Sequence, residues 1–213
     1  MKWEELLSIT RDMPVFSSAF LLAGRESVNG VRRQLDRWVK SGRIVRLRRG
    51  VYTVGPPYRP SAPHPFLVAN HLRKPSYVSL QSALSHCGMI PEFVPATTSI
   101  TTGRPEELET ALGRFLFRHV KKALFFGYAQ IEISQGPPVF LALPEKALVD
   151  LLYLTPGSDS SAYLEELRLE PPDHFDWQAF QRHAERIGGR KLNRAVKRIL
   201  RMAGKNNFQE LRE

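Results

Sequence analysis

One cysteine, Cys87, occurs in 213 residues. A single thiol excludes an internal disulfide and suits a reducing compartment, so a cytoplasmic protein is expected. Apolar residues make up 42% of the chain and can supply a core. No run of them approaches the ~18 residues of a membrane span. The start, Met1-Lys2-Trp3-Glu4-Glu5, is acidic and lacks the apolar stretch of a signal peptide.

Motifs of catalysis are equally scarce. Neither GxxxxGKS, GxxxxGKT nor GxGxxG occurs to cradle a phosphate. His64, His71, His86, His119, His174 and His183 form neither HxxxH nor HExxH. His86-Cys87 lacks the second spaced pair that a zinc site needs. Glu145 and Asp150 stand five apart, so they do not share a helix face as a catalytic pair would. Gly157-Ser158-Asp159-Ser160 faintly echoes the glycine–serine motif of nucleotidyltransferases. It follows Pro156 in a polar stretch, and no closely spaced carboxylate pair comes after it, so turn composition makes it a loop. The chain is therefore not expected to be an enzyme, and neither a metal nor a cofactor is expected. Internal repeats and low-complexity segments are absent as well.

Positive charge is what the chain has in excess. The net charge of +10, with a pI of about 10.0, implies a polyanionic partner. Its placement is uneven. Residues 1–60 hold 12 Lys/Arg against 5 acids, residues 61–180 hold 9 against 13, and residues 181–213 hold 10 against 3. Basic ends flank a mildly acidic middle, which fits ends that touch nucleic acid and a centre with another task.

The stretch 17–54 organises the first end. Trp3, Leu6, Leu7 and Ile9 mark a first helix, stopped by Asp12-Met13-Pro14. Ser17 can cap a short second helix through Ala19, Phe20, Leu21 and Leu22 that stops at Gly24. From a Ser27 cap, Val28, Val31, Leu35, Trp38 and Val39 recur at helical spacing and predict a third helix with one buried stripe. Its other face carries Asn29, Arg32, Arg33, Arg37 and Lys40, and Gly42 sits where a left-handed residue would end it. Arg43-Ile44-Val45-Arg46-Leu47-Arg48, a turn at Arg49-Gly50, and Val51-Tyr52-Thr53-Val54 predict a basic hairpin. Helix, turn, basic helix and basic hairpin together spell a winged helix-turn-helix.

Geometry and charge then suggest DNA. An α-helix fits the major groove of B-DNA, where Arg can read guanine and Asn can read adenine. The candidate contact residues are Arg25, Ser27, Asn29, Arg32, Arg33, Arg37, Lys40, Arg43, Arg46, Arg48 and Arg49. The hairpin arginines are expected on phosphates, which fix register without reading sequence. The competing explanation is a solvated basic face on a structural helix. Four hairpin arginines directly after the basic helix favour DNA.

After residue 55 the composition shifts. Five prolines fall within positions 56–65, predicting an extended, semi-rigid linker between a first domain at 1–55 and a second at 66–213. In the second, helices are expected from Pro65 through Leu72, from Leu80 to a stop at Gly88, and from Pro144 to Tyr153. Strands are expected near 97–102, 116–120, 125–133 and 139–142. The fold class is thus α+β. In the tail, Trp177, Phe180, His183 and Ile187 share one apolar face, and Leu192, Val196, Ile199 and Leu200 share another. Opposite the latter lie Arg190, Lys191, Arg194, Lys197, Arg198 and Arg201. They make a candidate second phosphate-contacting surface, or simply the solvated side of a helix packed on the acidic middle.

Several motifs in order resemble those of AbiEi-type antitoxins. They are Arg49-Gly50-Val51-Tyr52, the run from Tyr77 through Leu84, Gly88-Met89-Ile90-Pro91-Glu92, Val94-Pro95 leading into Thr98-Ser99-Ile100-Thr101-Thr102, and the run from Leu143 through Tyr153. The resemblance covers roughly residues 16–153 and departs at Gln81, where many members carry an acid. It implies a two-domain antitoxin of the abortive-infection type, often serving phage defence. Its winged helix would bind inverted repeats in operator DNA and repress its own operon. Its C-terminal domain would counter a co-encoded nucleotidyltransferase-like toxin, for which the basic tail is a candidate surface. A stand-alone regulator whose second domain senses a ligand or dimerises is the alternative. A nucleic-acid enzyme is the reading least supported.

Overall fold

The computed structural model describes residues 1–23, 28–59, 61–92, 94–133 and 136–204, and over these the chain is mixed α+β. The first end contains α1 (Trp3–Thr10), β1 (Val15–Ser17), α2 (Ser18–Leu22), α3 (Val28–Lys40), β2 (Ile44–Arg48) and β3 (Val51–Val54). The three strands form an antiparallel sheet in the order β1-β3-β2. Strand β1 goes beyond the sequence reading. Three residues are too few to show an alternating period, and the strand exists because Val15, Phe16 and Ser17 register against Thr53, Tyr52 and Val51. The Ser17 hydroxyl accepts the Phe20 N–H at 3.2 Å, as expected of a cap. Gly42, at φ 69°, follows the end of α3. Leu6, Leu21, Val31, Leu35 and Trp38 close against Phe16, Ile44, Tyr52 and Val54 in one apolar cluster.

The described residues of the 56–65 stretch differ from a uniformly extended spacer. A turn of 3-10 helix forms at Pro56–Tyr58, and the Arg59 guanidinium returns to donate to Thr53 Oγ1 at 3.3 Å. His64 Nδ1 accepts the Phe66 N–H at 3.2 Å and caps α4 (Pro65–Leu72), whose first residue is proline.

The remaining elements are β4 (Ser76–Val78), α5 (Leu80–His86), β5 (Ala96–Thr101), β6 (Glu106–Thr110), β7 (Gly113–His119), β8 (Tyr128–Ile131), β9 (Val139–Ala142), α6 (Pro144–Leu154), α7 (Ser161–Glu166), α8 (Trp177–Ile187) and α9 (Arg190–Met202). Six strands make a mixed sheet in the order β6-β7-β5-β4-β9-β8, with β5 parallel to β7 and β4 parallel to β9. Strand β6 (EELET) was not anticipated. An edge strand tolerates its glutamates, and β6 pairs antiparallel with β7. The expected strand at 125–133 is shorter, because Lys122–Leu124 turn as 3-10 helix and the ladder runs only from Tyr128 to Ile131. Helices α6, α8 and α9 pack together, and α5 packs on α6. The apolar cluster of the sheet region also takes in Val15 of β1 and Leu47 of β2.

At the centre lies a charged group that the apolar pattern of α6 concealed. Every side chain from Glu145 to Leu152 is buried. The Lys146 ammonium bonds Asp150 one turn on, and donates to the Tyr77 hydroxyl at 2.9 Å. Asp150 also accepts from Tyr77 Oη at 3.0 Å and from Ser79 Oγ at 2.8 Å. Burial pushes the Asp150 carboxyl up and the Lys146 ammonium down from their ordinary pKa ranges, while their mutual attraction opposes both shifts. The rings of Tyr77 and Tyr128 stack beside it, and Phe125 meets both at a tilt. Gly127, at φ 72°, approaches so closely that a Cβ there would lie 2.8 Å from Lys146 Cγ.

Removing one member of such a pair strands a buried charge. Lys146→Met is expected to lower unfolding free energy in urea by about 3–5 kcal/mol, and adding Asp150→Leu is expected to restore part of that loss. A loss below about 1 kcal/mol for the single change would show that the pair does not anchor the fold.

Candidate nucleic-acid interface

Helix α3 turns its apolar stripe inward, with Val31, Leu35 and Trp38 buried against α1, α2 and the sheet. At about 100° per residue, Asn29, Arg32, Arg33, Asp36, Arg37 and Lys40 fall on the opposite side. All six are exposed. Among the described residues, none of these four cations enters an ion pair, and Asp36 is the one acid among them. Arg37 and Lys40 lie in the last turn, where cations complement the helix dipole. Phe20 of α2 and Val28 at the start of α3 add exposed apolar surface nearby in sequence. Arg25 and Ser27, and the expected stop at Gly24, lie outside the described residues.

The hairpin arginines do not behave alike. Arg46 and Arg49 are exposed. Arg43 is half-buried, with its guanidinium 5.4 Å from the Trp3 ring centroid, and Trp3 meets both Trp38 and Tyr58 edge-on. Arg48 points back into the molecule. It donates to the Leu72 carbonyl at 2.7 Å and pairs with Glu106 at 3.3 Å, where Arg73 also binds. The hairpin turn is tied down too, by the Ser18 N–H donating to the Gly50 carbonyl at 2.8 Å. A β-strand period alone could not reveal Arg48's role, because its partners lie 24 and 58 residues away.

The tail divides in the same way. Lys191 donates to the carbonyls of Tyr153 and Thr155 at 2.7 and 2.8 Å, satisfying the C-terminal end of α6. Arg194 binds the Asp159 carboxylate at 2.8 Å, and Arg198 bonds the Asp159 carbonyl. The Arg194 hydrogen bond holds the Asp159 carboxyl below its ordinary range. Arg190, Lys197 and Arg201 are exposed and, among the described residues, form no ion pair. Gly157-Ser158-Asp159-Ser160 is a turn region, and the Ser158 hydroxyl is buried on the Leu152 carbonyl. Glu145 accepts the Asp176 N–H at 2.9 Å. Among the described residues, no cluster of His, Cys, Asp and Glu is arranged as metal ligands, and no helix is long and apolar enough to cross a membrane.

The exposed face of α3 and the hairpin beside it lie within a stretch that has a family assignment. Residues 6–55 match the model of a family described as transcriptional regulator, AbiEi antitoxin. The match begins in α1 and ends one residue after β3, so it coincides with the N-terminal helices and three-stranded sheet. That family is one of antitoxin-type transcriptional regulators. A comparison with curated proteins finds no match.

The Arg48–Glu106 pair is partly exposed, so its worth should be modest. A double-mutant cycle of Arg48→Ala and Glu106→Ala in urea unfolding is expected to give a coupling of about 0.5–1 kcal/mol. A coupling indistinguishable from zero would leave Arg48 free to act outward.

Proposed function

We propose that residues 1–55 act as a winged helix-turn-helix that binds double-stranded operator DNA, and that the protein is an autorepressing antitoxin of the cytoplasm. The observation that carries the first part is the outward face of α3. It presents Asn29, Arg32, Arg33, Arg37 and Lys40 together, without internal ion pairs among the described residues, on a helix whose back is fixed by Val31, Leu35 and Trp38. Such a helix can enter a major groove and present donors to base edges. Arg46 and Arg49 stand exposed on the adjacent hairpin and suit phosphates. Arg43 and Arg48 hold internal positions and are assigned to support. The antitoxin part is supported by the family match over residues 6–55 and by the resemblance in the second domain. In this proposal the second domain counters a co-encoded nucleotidyltransferase-like toxin in defence against phage. Arg190, Lys197 and Arg201 are its exposed basic surface.

A gel-shift titration against the DNA upstream of the protein's own gene, with scrambled DNA alongside, tests the reading. Selective shifts are expected, and Arg32→Ala/Arg33→Ala/Arg37→Ala should abolish them while leaving the thermal melt unchanged. Retention of the same sequence preference by the triple variant would rule out α3 as the reading helix.

The hairpin should respond differently. Arg46→Ala or Arg49→Ala should weaken binding to all sequences and reduce the slope of log affinity against log salt by about one unit per lost phosphate contact. Loss at a single base position would instead make the arginine a base reader.

A further inference from the structure

Residues of α1, β3, α4 and β9, together with Arg59, line a cleft of about 1020 Å³. That is the upper end of the size range of small-molecule sites, roughly 300–1,000 Å³. Leu7, Pro14, Val54, Leu67, Ile133 and Val139 give it apolar walls. Two of its hydroxyls are already engaged. Thr10 and Thr53 spend their hydroxyl protons on the Leu6 and Pro14 carbonyls. His64 accepts a backbone N–H at Nδ1, so its neutral ring carries the proton on Nε2. Burial lowers the His64 pKa, which favours that neutral form. Arg11 and Asp12 are both exposed and oppose each other in charge.

Arg59 is the unusual member. It is half-buried, and its one side-chain hydrogen bond among the described residues is the 3.3 Å contact to Thr53 Oγ1. No carboxylate among the described residues pairs with it, whereas Arg48, Arg73, Arg114, Arg168, Arg182 and Arg194 all have one. A guanidinium offers five N–H donors and stays charged when desolvated. A half-buried guanidinium in a cleft with apolar walls suits an acceptor brought from outside, because a charge-assisted bond is stronger where water is partly excluded.

We propose that this cleft binds a small organic anion, with its acidic head on Arg59 and its apolar body against Leu7, Leu67 and Val139. The residues come from both the N-terminal unit and the sheet region, so the ligand spans the two. The assignment is independent of DNA binding and goes beyond the function proposed above.

The test uses the full chain and two fluorescent probes that share one ring system. These are 8-anilinonaphthalene-1-sulfonate, which is anionic, and N-phenyl-1-naphthylamine, which is neutral. Saturable binding of the sulfonate at one site per chain is expected. In Arg59→Gln its affinity should fall by about tenfold or more, the worth of a charge-assisted hydrogen bond. The neutral probe should bind Arg59→Gln as it binds the parent protein, which shows that the cleft is still formed. Arg59→Lys should recover sulfonate binding in part, since the charge returns without the fork. No saturable sulfonate binding, undiminished binding by Arg59→Gln, or equal loss of both probes would each overturn the proposal.

Discussion

The Lys146–Asp150 pair is the constraint on which the rest of the structure depends. It joins the centre of α6 to Tyr77 of β4, a strand at the middle of the sheet, and to Ser79 just after it. A buried charge is tolerable only when its partners are fixed. The Tyr128 ring of β8 stacks on Tyr77 here, and Gly127 lets the chain pass against the lysine stem. Displacing α6 would unpair the charge and move the helices α8 and α9 that pack on it. The pair therefore fixes one arrangement of the second region more strictly than apolar packing alone would.

The same logic sorts the cations of the surface. In a chain of net charge +10, a basic residue is informative only once its partners are known. Arg48, Lys191, Arg194 and Arg198 are held by carbonyls or a carboxylate within the chain. Arg43 lies over Trp3. Those of α3 face water and keep their charge available. The basic ends of the sequence are therefore a mixture of structural and available charge.

The periodic elements were legible in the sequence. The stripe Val31, Leu35 and Trp38 gave α3 its buried side, Ser17 gave α2 its cap, and Pro65 and Pro144 marked the starts of α4 and α6. Short β1 and acidic β6 were not, because each is decided by a partner strand distant in sequence and not by its own pattern. The pair Lys146/Asp150 was not, because charges one turn apart on a helix are also the pattern of an exposed surface pair. For the candidate interface, Asn29, Arg32, Arg33, Arg37 and Lys40 followed from helical spacing. The inward turn of Arg48 required Leu72 and Glu106, which no local rule could bring to it. The cleft beside Arg59 is likewise made by segments far apart in the chain.

The anchoring of the hairpin has an entropic corollary. Its turn is tied to α2 through Ser18, and its arginine-bearing strand β2 to the sheet region through Arg48. The conformational freedom of this arm is thus surrendered during folding and not during association. Contact made through the hairpin would carry the heat-capacity change of surface burial alone, without the larger signature of a segment that folds on its target.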